Sequence, residues 1–143
     1  MSRAWILLFC LLASACVKSN SAFEELREGS AVTLPLKLTS VSGTRDGEIV
    51  RATIEFREGG DFAAIAIVVK LGPPPQFISG TYRATIGGRS SMGIVETPSL
   101  SFLGGQNALP SVGGIFVLKT VGGPAFRATL PPTPIQRQLN LSP

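Results

Sequence analysis

Val50-Arg51-Ala52-Thr53-Ile54-Glu55-Phe56 decides the class of fold. Apolar side chains take every second position, and Arg, Thr and Glu take the positions between. In an extended chain successive side chains point to opposite faces, so this run has one face to bury and one to wet. Wound into a helix, the same residues would scatter around its surface. The pattern returns on both sides. Val32, Leu34, Leu36 and Leu38 alternate with Thr33, Pro35, Lys37 and Thr39. Tyr82, Ala84 and Ile86 alternate with Arg83, Thr85 and Gly87, and Phe126, Ala128 and Leu130 with Arg127 and Thr129. Residues 62–71 are apolar almost throughout. Their Ile and Val content, between Gly59-Gly60 and Gly72-Pro73-Pro74-Pro75, reads as a central strand. Segments 100–103 and 114–121 add two more.

Between these runs lie breakers: Ser42-Gly43-Thr44-Arg45-Asp46-Gly47, Gly87-Gly88, Gly104-Gly105 and Gly122-Gly123. Seven or eight strands at short intervals predict a single all-β domain, either a sandwich or a small β-barrel. Pro35 places the first strand at an edge, where a missing N–H is tolerated. Ile78-x-Gly80-x-Tyr82-x-Ala84 resembles the tyrosine corner of immunoglobulin-like sandwiches. That resemblance implies an immunoglobulin-like β-sandwich, with the Tyr82 ring buried and its hydroxyl bonded to backbone within 72–79. The Cys pair and Trp of antibody domains are absent from this part of the chain.

The N-terminus reads as an address. Met1-Ser2-Arg3 is a short basic start, and Ala4 to Ala13 is an unbroken apolar run. At about ten residues it is too short to span a bilayer, which needs roughly 20, and it suits the apolar part of an export signal. Ala13-x-Ala15 also fits ordinary signal peptidase. Ala13-Ser14-Ala15-Cys16 resembles a bacterial lipobox. The resemblance implies a signal peptide over 1–15 and a lipid, palmitate among its acyl chains, on Cys16. It also implies a membrane-anchored envelope protein, at the outer membrane if there is one, because Val17 rather than Asp follows the cysteine. Cys10 lies within the signal, so lipidation would account for the one cysteine that remains. The expected layout is a lipidated cysteine and tether over 16–29, the β-sandwich over 30–134 and a loose tail over 135–143.

Composition narrows the chemistry. The 143 residues include no histidine, which excludes a Ser-His-Asp triad, a Cys-His pair and imidazole ligation of a metal. At 44% apolar and 15% charged residues, with a net charge of +4, the chain is not of the disordered type. The Gly-Gly pairs do not fall at nucleotide-binding spacings, and no S-x-x-K occurs. Asp46-Gly47-Glu48 is too sparse in oxygen ligands for a calcium loop. No catalytic residue, metal or cofactor is therefore expected. The remaining route to catalysis is a small carboxylate-based hydrolase using Glu55, Glu58 and Asp61 near one strand end, with Glu48 at the other.

Eight of the nine acidic residues lie at or before Asp61, whereas Lys70, Arg83, Arg89, Lys119, Arg127 and Arg137 follow it. Arg51, Arg83 and Arg127 each open an Arg-Ala-Thr echo on an alternating strand. On a shared sheet they would form a possible anionic-ligand patch for an anionic glycan. The leading expectation is a non-enzymatic, membrane-anchored envelope lipoprotein acting through contacts with an envelope protein or cell-wall polymer. An exported chain is not expected to meet nucleic acid.

Overall fold

The computed structural model describes residues 21–72, 74–103 and 109–137. Its strands, in chain order, are β1 (Ala22–Arg27), β2 (Ser30–Leu34), β3 (Lys37–Asp46), β4 (Ile49–Glu58), β5 (Asp61–Lys70), β6 (Gln76–Ile86), β7 (Arg89–Leu103), β8 (Ser111–Lys119), β9 (Ala125–Pro134) and β10 (Gln136–Arg137). All ten belong to one hydrogen-bonded sheet, in the order β10-β3-β4-β5-β6-β7-β8-β9-β1-β2. From β3 to β9 each strand pairs antiparallel with the next. β1 adds antiparallel to β9, β2 adds to β1, and β10 pairs parallel with β3.

The sheet curls because one of its faces must be buried with nothing else to bury it. No helix occurs among the described residues. Val50, Ala52, Ile54 and Phe56 of β4 point inward, as do Tyr82 and Ala84 of β6 and Phe126, Ala128 and Leu130 of β9. Phe23 of β1 lies 5.3 Å from Phe56 of β4, ring centre to ring centre, and 5.5 Å from Phe126. In a flat sheet β1 and β4 would stand about 29 Å apart at the usual strand spacing. The contact therefore crosses an interior, and the sheet is a half-barrel wrapped around its own aromatic core. Each such aromatic pair adds about 0.5–1.5 kcal/mol beyond the area it buries.

The end of the meander returns to its beginning. Only Ile135 separates β9 from β10, and it is buried, its N–H donating to the Pro110 carbonyl at 3.1 Å. Gln136 and Arg137 then lie beside Ser42 and Gly43 of β3. Gly43 fits this seam because a Cβ there would run into the Arg51 carbonyl and come within 3.1 Å of Ile135 Cγ2. In a strand interior, glycine marks such a close backbone approach.

The sequence-based expectations meet this structure unevenly. The all-β class holds, and β5 is a central strand between β4 and β6. The strands number ten rather than seven or eight, and they form one sheet rather than the two faces of an immunoglobulin-like sandwich. From β3 to β9 each strand hydrogen-bonds to its successor, and β1, β2 and β10 add to the two edges of that meander, so all ten stay in one sheet. Part of the expected tether, Ala22–Arg27, is β1, held by Phe23 in the core. Ser42 to Asp46 extend β3 instead of forming a turn, and the reversal is left to Gly47 at φ 60°. Pro35 splits the predicted first strand into β2, which is an edge as expected, and β3. Of the expected tail, Ile135 to Arg137 join the fold, and 138–143 lie outside the described residues. The signal peptide over 1–15 and Cys16 lie outside them too.

Gly43→Val should lower stability by about 1–3 kcal/mol, the usual effect of an overpacked core position. Gly60→Ala, with open space around its Cβ and no positive φ, should stay within about 0.5 kcal/mol of wild type. Denaturant midpoints at constant m-value measure both. Equal midpoints for the two variants would mean that the β3–β10 seam carries no packing.

Candidate functional site

The three arginines singled out from sequence all face outward, but they do not form one stripe. Arg83 lies opposite Ala64, which lies opposite Glu55, whereas Arg51 lies opposite Val68. The offset between those two rows is roughly 13 Å along β4. Arg127, three strands from Arg83, is held in a fork by Glu24 of β1. Its Nε donates to Oε1 at 3.2 Å, and its Nη2 donates to Oε1 and Oε2, each at 3.1 Å. A forked pair of this kind fixes the guanidinium in place and neutralises it locally. Among the described residues Arg51 has no ion pair.

Arg83 instead belongs to a cluster that the sequence reading missed. Its guanidinium lies 5.8 Å from the centre of the Phe62 ring, and that of Arg57 lies 5.5 Å from the same ring. Both are within the range in which an aromatic face attracts a cation. Lys37 is the cross-strand partner of Arg57, and Glu55 pairs with Arg57 at 3.7 Å. This cationic group borders an apolar strip on the outside of the curl. Met92 is 72% exposed and Ile94 58%, and with Ala64 and Ala66 beneath them they line a shallow cavity of about 590 Å³. Ile78, at the bulge in the β5–β6 pairing, is also exposed. The signal for the strip is an inverted alternation: along 91–94 the small residues Ser91 and Gly93 face inward and the large Met92 and Ile94 outward. A Cβ at Gly93 would strike the Lys119 carbonyl and come within 3.1 Å of Tyr82 Cε1.

Tyr82 is buried as expected, yet not as a tyrosine corner. Its ring packs edge-on against Phe126, centres 6.2 Å apart. Its hydroxyl bonds to the Thr120 hydroxyl, and to Ser91 Oγ at 3.5 Å, rather than to backbone of 72–79. It thus ties β6 to its neighbour β7 and, one strand further along the sheet, to the residue after β8. The physical reason is direction: Tyr82 points into the half-barrel, where Ser91 of β7 and Thr120 just after β8 lie within its reach.

The carboxylates are dispersed. Glu55 faces outward and accepts from Ser40 Oγ at 3.5 Å, while Glu58 and Asp61 sit opposite each other on the other side of the pleat. Asp61 Oδ1 accepts the Gly87 N–H at 3.0 Å. Among the described residues no three His, Cys, Asp or Glu converge in a way that could hold a metal ion. No protein-family model matches the chain, and no curated protein or solved structure is similar to it.

Tyr82→Phe should cost about 0.5–1.5 kcal/mol, the net worth of one hydrogen bond, because Thr120 is only half-buried and water can replace its lost partner. Thr120→Val combined with Tyr82→Phe should recover part of that loss, which a double-mutant cycle on denaturant midpoints reads out. Strict additivity of the two substitutions would rule out the bond as a stabilising contact.

Proposed function

We propose that the chain is a non-enzymatic envelope lipoprotein, exported, anchored through lipid on Cys16, and working by docking a partner protein on the outer face of its curled sheet. The observation that carries the docking part is the apolar strip of Met92 and Ile94 beside the Arg57–Phe62–Arg83 cluster. Exposed apolar side chains grouped next to fixed charges are what an interaction surface offers. The partner that fits carries an apolar side chain flanked by carboxylates. A cell-wall glycan is the weaker match, because no large aromatic is exposed among the described residues to stack on a sugar ring. The arginine patch once expected for an anionic glycan loses Arg127 to Glu24.

The anchor part rests on the N-terminal sequence. One acyl chain holds a protein to a bilayer only marginally, whereas the several chains that the lipobox resemblance implies hold it stably. From Cys16 to the start of β1 at Ala22 the chain reaches at most about 21 Å. The half-barrel would therefore stay close to the membrane, at the outer membrane if there is one.

Labelled palmitate should enter the wild-type protein in cells and not Cys16→Ser. A wild type that takes up no label and washes off membranes would end the anchor reading.

A photo-crosslinking residue in place of Ile94 should give one discrete adduct with an envelope protein, and Met92→Glu in the same chain should remove it. A crosslinker in place of Thr44, exposed elsewhere on the curl, should give no such adduct. The same adduct from both positions, or none from Ile94, would overturn the docking surface.

A further inference from the structure

A second cavity lies at one end of the curl, between the end of β1, the β6–β7 hairpin and the β8–β9 hairpin. It encloses about 570 Å³, within the range of small-molecule sites. Ile86, Pro124 and Phe126 give it an apolar wall, and Glu25, Arg27, Arg89 and Ser91 give it polar groups. Arg27 Nη2 is 3.4 Å from Glu25 Oε2, so those two charges offset each other. Arg89 has no hydrogen bond or ion pair among the described residues. The cavity therefore carries one uncompensated positive charge.

One of its hydroxyls, that of Ser91, is linked to Tyr82 behind it. Tyr82 has one hydroxyl proton and lies within reach of both Thr120 and Ser91. When Tyr82 donates to Ser91 Oγ, Thr120 donates to Tyr82, and the proton of Ser91 stays free to be donated to a ligand in the cavity. Arg89 and Ser91 are two residues apart on β7, so they share the inward face. Ser90 also borders the cavity, but its hydroxyl is engaged with Thr85 Oγ1 at 3.0 Å. A guanidinium and a hydroxyl donor thus sit side by side at the rim of an apolar hollow.

We infer that this cavity binds a small amphiphilic anion, its carboxylate or phosphate held by Arg89 and Ser91 and its apolar body against Ile86, Pro124 and Phe126. Charge assistance makes the Arg89 contact the stronger of the two. The inference is independent of the outer docking surface, since the two sites use opposite faces of β7.

Tyr82 is the one tyrosine in the sequence, so carbon-13 tyrosine labelling of the full chain in lipid nanodiscs gives a single ring reporter beside Ser91. Titration with hexanoate and with hexyl phosphate should shift it saturably, and the stronger of the two tells a carboxylate site from a phosphate site. Hexan-1-ol should bind at least about tenfold more weakly, and so should either anion to Arg89→Gln or Ser91→Ala. Arg51→Gln, on the outer face, should bind as wild type does. Equal binding of hexan-1-ol, an unchanged titration in Arg89→Gln, equal weakening in Arg51→Gln, or no saturable shift with either anion would each overturn the inference.

Discussion

Two residues join opposite ends of the sheet. Pro35 and Leu36 carry the chain from β2, the last strand in the hydrogen-bonded order, to β3, the second. From Leu34 to Lys37 the chain reaches at most about 11 Å. Laid flat, those strands would stand about 38 Å apart. No arrangement of ten paired strands satisfies both distances unless the sheet bends round on itself. Curvature here is thus imposed by covalent connection as well as by the hydrophobic face. Buried Leu36 sits at the crossing, where it seals the core at the point of greatest constraint.

The consequences run through the interior. Strands wrapped this tightly come too close at some points for any side chain, and Gly43 and Gly93 stand at two of them. The space that remains is filled by large rings from distant parts of the chain: Phe23, Phe56, Phe116 and Phe126, all essentially unexposed. Tyr82, whose hydroxyl reaches into this region, finds Thr120 two strands along the sheet, and the interior is left with no unsatisfied side-chain polar atom among the described residues. Where the wrapped wall ends, hydroxyls and charges can reach the inside from solvent. The cavity of Arg89 and Ser91 occupies that position, between a dry core and open water.

Alternation made the strands legible because it reports which face of a strand is buried. It carries no information about which strand lies beside which. One sheet of ten and two sheets of fewer strands give the same pattern along the sequence, and this left the sandwich and the curl undivided. β1 escaped notice because Phe23 is followed by Glu24 and Glu25. Its inward positions are satisfied by one ring and by the rim of the end cavity, not by a row of aliphatics. Arg51, Arg83 and Arg127 look equivalent in sequence, since each precedes Ala-Thr on an alternating strand. Their fates diverge through neighbours contributed by other strands: Glu24 for Arg127, Phe62 for Arg83 and, among the described residues, no counter-charge for Arg51. The outward Met92 and Ile94 were hidden by the assumption that large apolar residues face in.

The charge asymmetry along the sequence is largely undone in space, and two of the cations that remain lie at the candidate sites. Early acids meet late bases across the sheet, Glu24 with Arg127 and Glu48 with Lys70, while Glu96 meets Lys119 at 2.9 Å. These pairs are at least partly exposed, so each contributes about 1 kcal/mol or less, but each removes a cation from the surface available to a partner. After that cancellation Arg83 keeps its charge against a ring and Arg89 keeps its charge at the rim of a cavity. Exposed cations of this kind are inexpensive to the fold because water still solvates them. They act on whatever approaches, and the apolar surface beside each decides what can stay. The outer strip of Met92 and Ile94 is the surface proposed for a protein partner, whereas the inner wall of Ile86 and Phe126 borders the hollow inferred to hold a small anion. One curl of the sheet thus sets on opposite faces two cations that the linear sequence presents as part of a single excess of basic residues.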